Sequence, residues 1–304
     1  MDSKVSLEEA VLPLPVRSLP VTERLKQWLI NWLPALPILI LAYGLLVAPV
    51  LALLVQSFRG DDGGLTLTNW AEVVSSRSDR RAILTSLTLA AVSATSSLLI
   101  GAPIAWFVSR MLPVQRSVWL SLLNMATNFS GIGLAFGFVA ILGSFGMLTL
   151  AFRDLGLPFS PPAPNTFWGL VLAYNYTNIP LFILLTIPGM GILRQDWWEA
   201  AQTCGATQGK FWQAIGLPIL TPFLGAGWLL IFTWSLGLYG IPFALAGNGA
   251  TRKVSLITLQ IGDILQANIS GQGGAAVLAI VLLLIAALAL LVYRWMIRRA
   301  AKWF

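Results

Sequence analysis

Few residues in this chain could carry covalent chemistry. There is no histidine and a single cysteine, Cys204, which excludes Ser-His and Cys-His nucleophile pairs, Cys/His metal clusters and intrachain disulfides. One segment superficially looks like a phosphate-binding loop: Gly205-Ala206-Thr207-Gln208-Gly209-Lys210-Phe211. Such a loop needs four residues between its glycines, a Ser or Thr after the lysine and a preceding strand; here three residues intervene and Phe211 follows. The chain is therefore not expected to be an enzyme, nor to bind nucleotide or any other cofactor itself.

The chemistry that remains is that of contact. Asp196 to Leu220 reads DWWEAAQTCGATQGKFWQAIGLPIL. Asp196 and Glu199 have the form of a helix N-terminal capping box, and Gly205 suits a left-handed C-terminal cap. Thr207 is placed to cap a second short helix and Pro218 to close it. The result is a helical hairpin whose small residues, Ala200 and Ala201, let another protein's surface come close. A second group of residues is polar yet sits inside apolar runs: Asn124, Thr127 and Asn128, then Tyr174 to Asn178, then Trp234, Ser235 and Tyr239. In lipid each must either bond a neighbouring helix or line an aqueous path. Asn128, Asn175, Asn178, Trp234 and Tyr239 are the ones expected on such a path.

A bilayer is the setting that positions these groups. Of 304 residues, 57% are hydrophobic and 10% charged, and the mean hydropathy of +0.79 is too high for an ordinary soluble domain. A helix needs roughly 20 apolar residues to cross the hydrocarbon core. Six uncharged runs qualify, near 34–57, 82–108, 118–148, 166–192, 219–246 and 274–293. Acids, bases and prolines occupy residues 1–33, unlike a cleavable signal peptide, so the first run is expected to stay as an anchor. Leu25, Trp28, Leu29 and Trp32 lie at helical spacing within 21–33, the pattern of an amphipathic interfacial helix. The expected layout is this N-terminal segment at 1–33, a membrane domain over 34–299 and a short tail over 300–304.

With six spans and a cytoplasmic N-terminus, 12 of the 19 bases and 6 of the 12 acids fall inside. The net charge is then +6 inside and +1 outside, as the positive-inside rule requires; Arg80 and Arg81 run against it. Val254 to Leu265 (VSLITLQIGDIL) is too short and polar to span and is expected as a helix against the outer end of the bundle. Gly133 and Gly137 form a GxxxG pair, read as helix packing within the chain in preference to a subunit contact. No acid or base lies within any span. Ion-coupled carriers usually keep one, so an ion-coupled secondary transporter is disfavoured and energy should arrive from outside the membrane domain.

Glu199-Ala200-Ala201, three residues, Gly205, nine residues, Ile215, one residue and Leu217-Pro218 together resemble the full EAA signature of permeases in binding-protein-dependent ABC importers of type I. The signature also lies between the fourth and fifth spans, as in that family, and in outline the resemblance runs from about Ala82 to Val292. It implies an all-α polytopic membrane protein in the bacterial cytoplasmic membrane, with six transmembrane helices. The loop at about 195–218 would be a coupling helix docked on a cytoplasmic ATPase dimer that holds ATP and magnesium. A second permease subunit, whether a different chain or another copy, and a periplasmic binding protein would be the other partners, with no role for nucleic acid. Leu65 to Leu98 and the outer segment more loosely resemble the branch importing polyamines, opines, organophosphonates, ferric iron and thiamine. A polyamine such as spermidine or putrescine, or a related small organic ion, is the expected solute, with ferric iron, thiamine or organophosphonate as alternatives.

Both termini are thus expected on the cytoplasmic side, with residues 60–80, 155–165 and 247–273 outside. In a Cys204→Ser background, Asp62→Cys and Asn248→Cys should react with an impermeant maleimide in whole cells. Protection of both positions overturns this topology.

Overall fold

Apolar runs become helices because lipid offers the backbone no hydrogen-bond partner but itself. The computed structural model describes residues 32–60, 63–156, 160–247, 252–267 and 272–300. Its helices are α1 (Leu36–Ser57), α2 (Thr68–Ser75), α3 (Arg77–Ser109), α4 (Pro113–Asn128), α5 (Ile132–Leu142), α6 (Met147–Asp154) and α7 (Phe167–Met190). There follow α8 (Gln195–Thr203), α9 (Gln208–Phe211), α10 (Leu217–Gly237), α11 (Gly240–Ala246), α12 (Ile257–Ala267) and α13 (Gln272–Ala300). Among the described residues, six helical stretches are long and apolar enough to cross a membrane: Leu33–Ser57, Arg77–Ser109, Ile132–Asp154, Phe167–Met190, Gln208–Gly237 and Gln272–Arg298. This is the all-α polytopic fold expected. The chain divides into Met1–Ala52 and Leu53–Phe304. The described part of the first unit is essentially one apolar helix, most of α1; the amphipathic helix expected over 21–33 lies almost wholly outside the described residues.

Two expected spans are divided. The run 118–148 breaks into α4, α5 and part of α6, because Gly131 takes φ +79°, a backbone region that L side chains avoid. A tight turn then separates α5 from α6, with Gly146 donating to the Gly143 carbonyl at 2.8 Å. The run 219–246 stops at Gly237, where Leu238 turns extended, and resumes in α11.

α3 and α7 lie side by side and point the same way. Leu89 shares a cluster with Leu170 and Tyr174, while Val108 shares another with Ile187 and Met190. The buried face of α3 is built of small residues, Ala82, Ala90, Ala94, Gly101 and Ala105, which lets two backbones approach closely where lipid supplies no hydrophobic drive. Ile231 of α10 closes against Ala94 and Phe182. The helix starts are capped: Ser76 accepts from the Asp79 N–H and Thr166 from the Gly169 N–H, both at 3.3 Å, satisfying otherwise orphaned donors.

At the end of the unit where α3 and α7 begin, α2, α12 and α13 meet around Val73, Ile257, Val277 and Leu278. α12 is the helix expected over the outer segment. The Ile257 N–H donates to Ser86 Oγ at 2.9 Å, and Thr258 Oγ1 donates to the Leu238 carbonyl at 3.2 Å, supplying a partner at the break in the fifth span. The Arg252 guanidinium pairs with both Asp263 oxygens and its Nε donates to the Gly247 carbonyl at 3.3 Å. Gly133 and Gly137, by contrast, have no described atom within 4 Å of a would-be Cβ. Among the described residues, then, the GxxxG pair packs against no other helix.

A Cβ at Gly101 would lie 2.7 Å from Phe182 Cδ1. Gly101→Val is therefore expected to cost about 1–3 kcal/mol through overpacking, read as a lower unfolding temperature in detergent. Gly137→Ala should leave that temperature unchanged in the isolated chain.

Candidate functional site: a capped hairpin and a lateral groove

The hairpin begins where α7 ends. α8 starts at Gln195, with Arg194 at the N-cap position and no side-chain cap. The capping box expected from Asp196 and Glu199 is not formed: Asp196 already lies in the first turn of the helix and pairs with the Arg194 guanidinium. It still sets a negative charge at the positive end of the helix dipole. Glu199 is exposed, with no ion pair or side-chain hydrogen bond to a described residue. Ala200 is exposed and Ala201 half-buried.

The other end of α8 behaves as its sequence implies. Gly205 takes φ +75°, its N–H donates to the Gln202 carbonyl at 2.9 Å, and the Ala206 N–H donates to the Ala201 carbonyl at 2.9 Å. These paired bonds are a Schellman cap. Thr207 Oγ1 then accepts from the Lys210 N–H at 3.5 Å and opens α9. Pro218 does not close that helix. A π turn over Trp212–Gly216 intervenes, with the Leu217 N–H bonded five residues back to the Trp212 carbonyl, and helix continues into α10. A proline ring clashes with the carbonyl four residues before it in a regular α-helix, and the wider π turn just ahead of Pro218 accommodates it. Of the remaining signature residues, Ile215 is half-buried in the π turn, while Leu217 and Pro218 are exposed at the start of α10.

The polar residues of the spans divide into two sets. Asn175 Oδ1 accepts from Ser96 Oγ at 2.9 Å and from Ser97 Oγ at 3.1 Å, and Asn178 Nδ2 donates to Ser235 Oγ at 2.8 Å. Both amides are buried in the seams joining α7 to α3 and α10. A groove lies elsewhere, a cavity of about 360 Å³ lined by Thr127, Ser130, Thr177, Leu181, Leu185, Leu230, Trp234 and Leu238. It adjoins one of about 380 Å³ that shares Leu230, Trp234 and Leu238. Trp234 is thus the one expected path residue on the groove wall. Asn128 is exposed at the end of α4, its Nδ2 bonded to the Asn124 carbonyl at 2.8 Å. Tyr239 stacks on Phe243 at 5.1 Å.

No family model matches the chain. It is 30% identical over 224 residues to the sulfate transport system permease protein CysT of Salmonella typhimurium, spanning 71% of this chain and 75% of that protein. The chain belongs to the family of ABC importer permeases. This permease is also 28% identical over 230 residues to the molybdenum transport system permease protein ModB of Mycobacterium tuberculosis, covering 73% and 81% of the two chains. It is 27% identical over 207 residues to the spermidine/putrescine transport system permease protein PotB of Haemophilus influenzae, covering 66% and 72%. Its fold matches a permease chain in the crystal structure of a bacterial alginate ABC transporter complexed with an alginate-bound periplasmic protein. There the TM-score is 0.72, identity is 17%, and 91% and 95% of the chains are covered. With six apolar spans, the permease is a multi-pass protein of the inner membrane.

Thr127 and Thr177 are among the polar residues of the permease's spans, but the residues expected on the path are three amides with Trp234 and Tyr239. Helical phase separates them. Thr177, Leu181 and Leu185 share one face of α7 at i, i+4 and i+8, whereas Asn175 and Asn178 face its neighbours. Asn175 Oδ1 and Asn178 Nδ2 each meet a partner on another helix, and no single span's sequence reveals that partner.

Asn178→Leu leaves Ser235 without its partner and is expected to lower the stability of the permease by about 1 kcal/mol, seen in detergent unfolding. Trp234→Ala, on a half-exposed wall, should leave unfolding unchanged and reduce uptake several-fold. Equal effects of the two on stability would remove the distinction between seam and groove.

Proposed function

We propose that this permease forms one wall of a translocation path for a small hydrophilic solute, and that its hairpin couples the path to a cytoplasmic ATPase dimer holding ATP and magnesium. The observation that carries this reading is the hairpin itself. Its helix is sealed at Gly205 by backbone bonds alone, it leaves Glu199 free, and it has small residues where a partner must approach. A carboxylate so exposed is available for a basic docking residue.

The described residues enclose the groove only in part, and a second permease subunit, another chain or a second copy, completes the path in this reading. A periplasmic binding protein delivers the solute at the end bearing α2 and α12. The related alginate transporter, crystallised with its periplasmic protein, and the permease relatives of sulfate, molybdenum and polyamine systems support this assembly. In this reading both termini and the hairpin lie in the cytoplasm.

For the solute, two readings have specific support. Polyamine import is suggested by the resemblance of the outer segments and by the spermidine/putrescine relative. Import of a small oxyanion is suggested by the sulfate and molybdenum relatives and by groove walls of hydroxyls, indole and aliphatic groups. Among the described residues, those walls hold no carboxylate to retain a polycation. Uptake of labelled spermidine, sulfate and molybdate, each with its binding protein, separates the two.

Coupling is tested at the hairpin. Glu199→Lys reverses the charge presented to the ATPase, and Gly205→Val forces a β-branched residue into a left-handed backbone at a cost of about 1–3 kcal/mol. Each is expected to weaken co-purification with the ATPase and to abolish ATP-driven uptake in proteoliposomes. Normal docking and uptake by both variants would contradict the proposal.

A further inference from the structure

An unbroken series of ring contacts joins the hairpin to the membrane helices. Trp198, adjacent to Glu199 on α8, meets Phe211 of α9 edge to face, with centroids 5.3 Å apart and planes at 66°. Phe211 meets Trp212, the first residue of the π turn, at 6.3 Å and 79°. Trp212 meets Trp106 of α3 at 4.8 Å and 71°. The Arg110 guanidinium lies 4.2 Å from the Trp106 ring centroid and donates to the Leu193 carbonyl, at the entrance of the hairpin. Entrance and exit of the loop therefore both lean on the last turns of α3.

Such pairs have a preferred edge-to-face geometry whose attraction adds to area burial, as does a cation over an indole face. Stacked rings are also stiff, with two torsions each. Packed rings therefore connect α8 to α3 without a gap. Trp212 is held from its own helix as well: a Cβ at Gly216 would sit 2.6 Å from Trp212 Cε3. The residue at 216 must leave that ring its space. π turns are often found at functional sites, and this one lies where the series enters the fifth span.

We infer that Trp198, Phe211, Trp212 and Trp106, braced by Arg110, are positioning residues that transmit displacement of the hairpin to α3 and thence to its tightly packed neighbour α7, which lines the groove. The inference rests on the coupling role proposed above. It assigns work to residues outside the EAA signature and predicts a particular defect, uncoupling without loss of docking.

The test uses the full complex of permease, ATPase and binding protein in proteoliposomes, measuring ATPase co-purification, hydrolysis and solute taken up per ATP. Trp212→Ala and Trp106→Ala are expected to keep co-purification within about twofold of wild type and to lower uptake per ATP about tenfold. The double variant should be no worse than either single, since the residues act in series. Trp212→Phe, which keeps a ring, should recover most of the loss, and Gly216→Ala, which displaces the ring without removing it, should reproduce it. Uptake per ATP within about twofold of wild type in Trp212→Ala overturns the inference. So does a parallel loss of docking and uptake, which would make the series merely a support for folding. Glu199→Lys, run alongside, separates the two levels: if it docks and transports normally the coupling reading fails, whereas a defect there with normal tryptophan variants removes the ring series alone.

Discussion

The close approach of α3 and α7 is the constraint on which the rest of the second unit depends. Lipid is as apolar as leucine, so two spans associate only through tight packing and interhelical hydrogen bonds. Here both operate along one seam. Gly101 admits the Phe182 ring, and Ser96 and Ser97 meet Asn175 a few residues away. α10 joins through Ser235 and Ile231. At one end the seam carries the helices that meet α12; at the other it ends beside the hairpin.

The same packing fixes the hairpin where it meets the membrane helices. α8 has only nine residues and none buried, so by itself it is marginal as a helix. Its form comes from the Gly205 cap and from Trp198 packed on Phe211. Glu199 and Ala200 form part of its exposed surface.

The end bearing α12 follows a different logic. Leu238 breaks the fifth span and would leave backbone groups without partners, which lipid does not tolerate. Thr258 supplies a donor there, and the Arg252–Asp263 pair pins α12 in reach. A charged pair beside a span is acceptable because it sits at the margin of the apolar region and each charge meets its opposite.

Local pattern alone accounts for much of this protein. Length and composition specify six spans, because the bilayer sets how many apolar residues a crossing takes. The positions of Gly205 and Thr207 specify the hairpin's turn, because the backbone angles and orphan donors involved are local. The capping box failed on the same local ground, since Asp196 had Arg194 to pair with two residues away. Other features needed the folded chain. Whether Asn178 lines a path or bonds Ser235, 57 residues on, depends on which helix lies opposite. So does the meeting of Trp106 with Trp212, and so does the bare face at Gly133 and Gly137. Hydropathy records that a side chain is polar or small, but not which neighbour will face it, because pairing among six apolar helices is decided by packing between segments far apart in the chain.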